Sequence, residues 1–372
     1  MLFSQRRTKV SKRVRKEVIS IEENIARVLV ETTVQKALKE MKNFPERGIR
    51  NLIDMGVEFS GGKFQKYFLR VAQDMLQNEN SAYYQLIREM IQYADLEKVK
   101  RFGVNLGYNS CTIGAKKIRT AEALDYFNIP WSLGFHIRSQ ISLSQEKRYQ
   151  IIIEQGMKLG IYTYFFYIDG NSLAVLPLLK VYSQCAFVFF CRPTDITSQF
   201  LDETQQIQNL MIAVEDGKGA AQACGKLKRN GYLYAVYFLY RKEDFRDILN
   251  GTILRRIEKT TPPVTAIMPH PSCPPEVQES VYQYVLEVRE RQHHPTILLD
   301  VKYDIMYVDR VISNHSFMVW FDADGQLHSG DRIYTSVGYN IFQNGLPSIL
   351  KLAFSKDSEK IERDMEHENG SH

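Results

Sequence analysis

From Phe102 to Val301 short apolar runs alternate with amphipathic stretches of helical length, an order that confines the chain to the α/β class with a parallel sheet. The runs with strand character are Phe102 to Leu106, Ser132 to Ile137, Tyr162 to Ile168, Ala186 to Cys191, Asn209 to Val214, Tyr232 to Leu239, Val264 to Met268 and Ile297 to Val301. Helical patterns lie between most of them, over Ala115 to Phe127, Ser144 to Leu159, Leu173 to Tyr182, Ala220 to Arg229 and Pro275 to Arg291. Parallel crossovers are right-handed, so the repeat is expected to roll into a partial or complete (β/α) TIM-like barrel. An open doubly wound sheet is the rival arrangement.

The flanks carry other patterns. Ile21, Ile25, Val28, Leu29 and Thr32 recur at helical spacing and run on into Leu38 and Met41. Pro45 opens a second helix that Gly56 is expected to end, Gly61-Gly62 separates a third, and Asn80-Ser81 caps a fourth. This predicts an N-terminal helical domain over residues 18–101, ahead of a β/α barrel over 102–306. Residues 307–355 read as a small β-rich C-terminal extension around the turn Asp322-Ala323-Asp324-Gly325. Residues 1–17 are expected to be a basic disordered tip and residues 356–372 a disordered tail.

The formal net charge is +5, yet Arg6, Arg7, Lys9, Lys12, Arg13, Arg15 and Lys16 give +7 before Glu17, so the remainder carries +5 minus +7, or −2. Such a tip can touch RNA phosphates or an anionic membrane, but a solvated terminus is the plainer reading, and nucleic acid is not the expected partner. No apolar run approaches the length that spans a bilayer and the first residues go straight to charge, so the expectation is no membrane insertion and a cytoplasmic location. Cys111, Cys185, Cys191, Cys224 and Cys273 are an odd number of thiols, which fits a reducing compartment. No two have the close spacing that wraps one metal ion or cluster, so neither metal nor cofactor is predicted.

The order of segments resembles the radical S-adenosylmethionine family. The carriers are strand Leu133 to Ile137, helix LSQEKRYQIIIEQGMKLGI, strand YTYFFYIDGNSL, then AFVFF, NLMIAVE, LYAVYFLYRKEDFRDIL and VTAIMPHPSCPPEVQESVYQYV. The closing WFDADGQLHSGDRIYTSVGYNIFQNGLPSILK is similar to the end of the SPASM-type accessory domain, where an Asp-Gly hairpin precedes a last helix containing Asn and Leu. The departures matter more. The family's C-x3-C-x2-C loop, which holds its iron–sulfur cluster, is replaced by HIRSQISLSQEKRYQ, and Arg138, Ser139 and Gln140 cannot substitute for soft sulfur ligands. The Gly-Gly-Glu segment is reduced to Ile168-Asp169-Gly170-Asn171, with only Gly170 matching, and His328-Ser329-Gly330 stands where the accessory domain often has a cysteine. The resemblance thus implies a degenerate barrel that has lost radical chemistry. It would serve as a non-catalytic binding or accessory module for a peptide, a small polar ligand or a partner enzyme. The alternative is an active cytosolic enzyme that uses polar residues at the barrel mouth without a cluster.

Barrel sites lie at the carboxyl ends of the strands, which makes His136, Asp169, Arg192, Glu215, Tyr240, Arg241 and His270 the candidate ligand-binding residues, with Gly170 added by the resemblance. Pairing among themselves, Arg192 with Glu215 for instance, is the competing expectation. A metal site from His293, His294, Asp300, Asp304 and Asp309 is not favoured, because their spacing does not force convergence. Gly103, Gly107 and Gly114 ahead of Lys116, Lys117 and Arg119 give only a weak anion signal, with Gly107 to Ser110 read as a turn and Thr112 as a helix cap. Catalysis by Cys111 is disfavoured because no histidine lies near it in the sequence.

Overall fold

A computed structural model describes residues 25–59, 63–125, 127–138, 142–169, 172–313, 315–330 and 332–355. The expected basic tip, the expected C-terminal tail, Gly61-Gly62 and Gly170 lie outside the described residues.

The N-terminal part consists of helices α1 (25–41), α2 (Pro45–Phe59), α3 (Lys63–Met75), α4 (Ala82–Tyr93) and α5 (Leu96–Val104). The Ser81 hydroxyl accepts the Tyr83 N–H and caps α4 as its position predicts. Gly56 does not end α2, which continues to Phe59. The apolar stripe of α1 places Ala37, Leu38 and Met41 in a small core with Ile91 of α4.

The first expected strand is a helix. Phe102 to Leu106 falls in α5 and in a π-helical stretch, Asn105–Gly114, which leads directly into α6 (Ala115–Asp125). Side chains explain the unusual winding. Asn105 Nδ2 donates to the carbonyls of Ser183 and Cys185 at 2.9 and 2.8 Å, Asn109 Nδ2 donates to that of Gln184 at 2.9 Å, and Ser110 bonds Thr163 at 2.7 Å. The helix is thereby pinned to the amino ends of two strands, at the cost of regular pitch. Gly107 to Ser110 is accordingly no turn, Thr112 lies inside the π-helical stretch rather than at a helix start, and α6 has no free amino terminus for an anion. Gly114 is required by contact: a Cβ there would lie 2.3 Å from the carbonyl oxygen of Gly160.

The strands are β1 (Ser132–Arg138), β2 (Thr163–Asp169), β3 (Ala186–Cys191), β4 (Leu210–Glu215), β5 (Tyr234–Tyr240), β6 (Val264–Pro269) and β7 (Ile297–Asp300), all parallel and side by side in sequence order. Sequential order without reversal sends every crossover the same way, which excludes the doubly wound rival. Helices α7 (Leu143–Leu159), α8 (Leu176–Val181), α10 (Ala220–Arg229) and α13 (Pro275–Arg291) bury one sheet face in the main core. Between them run α9 (Ser198–Thr204), α11 (Phe245–Leu249) and α12 (Thr252–Glu258).

After β7, residues read as the start of a β-rich segment form helix α14 (Val301–Ser313). Strand β8 (Val319–Phe321) then pairs in parallel with β1, and β9 (Leu327–Ser329) and β10 (Arg332–Ile333) extend the same sheet antiparallel. The Asp322 to Gly325 hairpin forms as expected, with Gly325 at φ 82° and the Asp322 carboxylate accepting the N–H groups of Asp324 and Gln326. The chain closes with α15 (Leu346–Ala353). Because β8 bonds β1 and β9 but not β7, the curled ten-stranded sheet is a partial barrel, open between β7 and β8. Among the described residues no helix is long and apolar enough to cross a membrane.

Candidate functional site

In-register parallel strands place every second residue on one face. Phe135, Phe166, Phe189 and Val214 belong to the helix-covered core, so the alternate residues face the concave side. The register carries His136 to Tyr167 and on to Phe190, and one layer further it sets Arg138 beside Asp169 and Glu215 beside Tyr237. A polar rim at the carboxyl ends of β1 to β4 thus stands over an aromatic floor.

Within that rim His136 Nε2 bonds Asp169 Oδ2 at 2.6 Å, and the imidazole meets the Tyr167 ring edge-on with centroids 5.4 Å apart. Arg138 donates to Asp324 of the hairpin at 3.0 Å, tying β1 to the β8–β9 turn. Arg192 does not pair with Glu215 as the sequence suggested. Its nearest carboxylate is Asp195, three residues on, at 3.4 Å, and that carboxylate also accepts the Arg192 backbone N–H at 2.9 Å. Asp195 holds the guanidinium pKa above its ordinary value, with smaller contributions from Asp169 and Glu215. Beneath the rim, Tyr237 is buried and packs edge-on to Phe190 at 5.1 Å, and burial raises its phenol pKa.

The structure therefore brings together His136, Asp169, Arg192 and Glu215. It adds Arg138, two residues beyond His136 at the end of β1, Tyr167, two residues before Asp169, and Tyr237, in the middle of β5 and in register with Glu215, each detectable by stepping two residues at a time along its strand. The other three candidates are engaged otherwise. Tyr240 is on the opposite face, in the main core, where it donates to Asp300 at 3.4 Å. Arg241 is exposed, with its backbone N–H held by Asp244, and His270 closes a local turn through Ser272 at 2.7 Å.

The residues present do not fit an iron–sulfur cluster. Cys185 and Cys191 flank β3 in the helix-covered core, Cys224 is on α10, Cys273 is in the loop after β6, and Cys111 is in the π-helical stretch. Burial pushes the Cys224 thiol up to about 11 and the Cys111 thiol up to about 12, the opposite of what thiolate ligation needs. Among the described residues no three His, Cys, Asp or Glu side chains converge in a way that could hold a metal ion. In the His293 to Asp309 region, His294 bonds Glu258, Asp304 pairs with Arg289 at 2.9 Å, and Asp309 accepts the Trp131 N–H at 2.7 Å.

Other buried carboxyls serve the fold. Asp300 caps α14 by accepting the Tyr303 N–H at 2.9 Å, and its burial pushes its pKa up to about 7.

No protein-family model and no curated protein matches this chain. Among solved structures it is similar to SuiB of Streptococcus suis bound to S-adenosylmethionine, with a TM-score of 0.46 and 8% identity over 63% of this chain and 66% of that one. The chain thus spans slightly less than two thirds of SuiB in that superposition. SuiB bound to the precursor peptide SuiA gives a TM-score of 0.46 at 8% identity over 63% of this chain and 67% of that one, and another SuiB crystal structure gives 0.45 at 10% identity over 86% and 81%.

Proposed function

We propose that this chain is a degenerate barrel of the radical S-adenosylmethionine type, with a remnant of the SPASM-type hairpin, that works in the cytoplasm as a non-catalytic binding or accessory module. Its ligand would be a peptide, a small polar molecule or a partner enzyme. The observation that carries this reading is the rim of Arg138, Asp169, Arg192 and Glu215 above Tyr167, Phe190 and Tyr237 on the concave face. Charges of both signs on rigid strand ends over an aromatic floor suit a ligand that is itself zwitterionic with apolar side chains, and a peptide is the simplest such molecule. Free buried thiols support a reducing compartment.

One observation favours the enzymatic alternative. The His136–Asp169 pair is a carboxylate-oriented imidazole, an arrangement suited to general-base work. Two experiments separate the readings. Peptide-array and partner-capture binding with the Arg192→Ala and Glu215→Ala proteins should show at least a tenfold loss if the rim is the binding surface, and undiminished binding would overturn that reading. Turnover of a metabolite library that disappears in His136→Ala would replace the module with an enzyme. Anaerobic iron and sulfide reconstitution should leave no stoichiometric iron, and protein-bound iron together with S-adenosylmethionine binding would refute the degenerate assignment.

A further inference from the structure

We infer that α1 is a peripheral docking surface for an anionic lipid membrane. Its exposed residues are Ile25, Val28, Leu29, Thr32, Lys36 and Lys39, and at ~100° per residue they fall within a stripe ~100° wide. The first two turns present aliphatic side chains: Ile25 is 56% exposed and Val28 and Leu29 are each 62% exposed. The later turns present lysines. Lys42, Asn43 and the 58%-exposed Phe44 continue the same surface beyond the helix.

The charge pattern argues for an anionic partner. Every residue classed as exposed between 25 and 44 is apolar, neutral or cationic. The two carboxylates of this stretch are partly buried and paired, Glu31 with Arg27 at 3.0 Å and Arg101 at 3.1 Å, and Glu40 with Arg47 at 3.0 Å. The Glu31–Arg101 pair also ties α1 to α5, and Ala37, Leu38 and Met41 anchor its other side, so the stripe is held outward. In the sequence, seven Lys and Arg residues between 6 and 16 precede this helix. An RNA phosphate backbone would use the lysines but leave Ile25, Val28 and Leu29 in water. A bilayer interface takes both, with aliphatic turns among the acyl chains and lysines reaching the headgroups. A helix lying on the surface is compatible with the absence, among the described residues, of any helix able to cross it.

The test is co-sedimentation of the full chain with vesicles of phosphatidylcholine containing phosphatidylserine, beside vesicles of phosphatidylcholine alone. Binding is expected only to the anionic vesicles and should weaken as salt is raised. Val28→Asp with Leu29→Asp should reduce it by about tenfold or more, and Lys36→Gln with Lys39→Gln by roughly tenfold. These side chains point to solvent, and an unchanged circular dichroism spectrum and melting temperature verify that the variants fold. The inference is overturned by no anionic-vesicle binding, or by equal binding of the Val28/Leu29 variant, which would assign the attraction to the preceding cations alone. It is equally overturned by binding of a single-stranded RNA in place of vesicles, or by a concentration-dependent dimer that the Val28/Leu29 variant dissolves and that ignores vesicles.

Discussion

Replacing Asp309 with Asn should make the protein more stable at neutral pH, by an amount that grows with pH. Asp309 lies on α14 with no exposed surface. One carboxylate oxygen accepts the Trp131 N–H at 2.7 Å, and the carboxylate is fully buried with no cation among the described residues beside it to offset its charge. Burial drives its pKa well above the usual 3.8, against the opposing effect of backbone N–H groups from Trp131 and Phe317 and with a further push from Glu122. Since the folded pKa exceeds the unfolded one, the contribution to stability is fully present below pH 3.8 and is lost as pH rises through the folded pKa. Between those limits each pH unit removes about 1.4 kcal/mol, so two units remove about 2.7 kcal/mol. Asn keeps an acceptor for the Trp131 N–H and cannot ionise. The free-energy difference between Asp309→Asn and the parent, measured by urea unfolding with tryptophan fluorescence at a series of pH values, should therefore climb with that slope above pH 3.8. Taking the difference cancels titrations common to both proteins. A difference independent of pH would refute the reasoning, because it would mean that Asp309 ionises equally easily in the folded and unfolded chains.

Lys98→Met should cost roughly 2–4 kcal/mol, seen as a lowered urea midpoint, since the 1%-exposed ammonium donates to the carbonyls of Gln205 at 2.5 Å and Ile207 at 3.0 Å and lies 4.7 Å from the Tyr232 ring centroid. Gly114→Ala should lose about 2 kcal/mol or more, because the closest atom it would meet, the Gly160 carbonyl oxygen, is backbone, whereas Gly107→Ala, with nothing within 4 Å of its Cβ, should leave the melting temperature unchanged or slightly raised. A thiol reagent at neutral pH should modify Cys185, Cys191, Cys224 and Cys273 only after unfolding, and rapid native-state labelling of any of them would contradict their burial.

The parallel strands were legible because a strand covered on both faces is a continuous apolar run, as in AFVFFC of β3 and YAVYFLY of β5. The same rule misread Phe102 to Leu106, whose three apolar residues suit a strand or a buried helix, and what decides between them is distant: the carbonyls of Ser183, Gln184 and Cys185 that Asn105 and Asn109 reach. Tyr240 looked like a mouth residue because it ends a strand. It faces the outer core because β5 alternates from Tyr234, and a strand-end position says nothing about the side without that phase. Tyr167 and Tyr237 went unnoticed for the opposite reason, since aromatic residues inside apolar runs read as core even where they floor a polar rim. The opening of the barrel was not legible at all, because it depends on β8 choosing β1 and β9 as neighbours.

That opening and the N-terminal helices are two sides of one packing solution. A closed barrel fills its interior with layers of bulky branched side chains from alternate strands. Here the concave face carries Ala186, Ala213, Ala235 and Ala266 among the bulkier Val188, Phe190, Leu233 and Tyr237, with Ala213 directly beside Ala235. The space they leave is taken by Phe102 of α5, with Leu106 and Met90 packed around it. The helix enters a sheet that is open between β7 and β8 and buries part of its concave face. Because α5 and the π-helical stretch bind at the amino ends of β2 and β3, through Ser110 to Thr163 and Asn105 to Cys185, the approach left to a ligand is at the carboxyl ends. Those are the ends that carry His136, Asp169, Arg192 and Glu215.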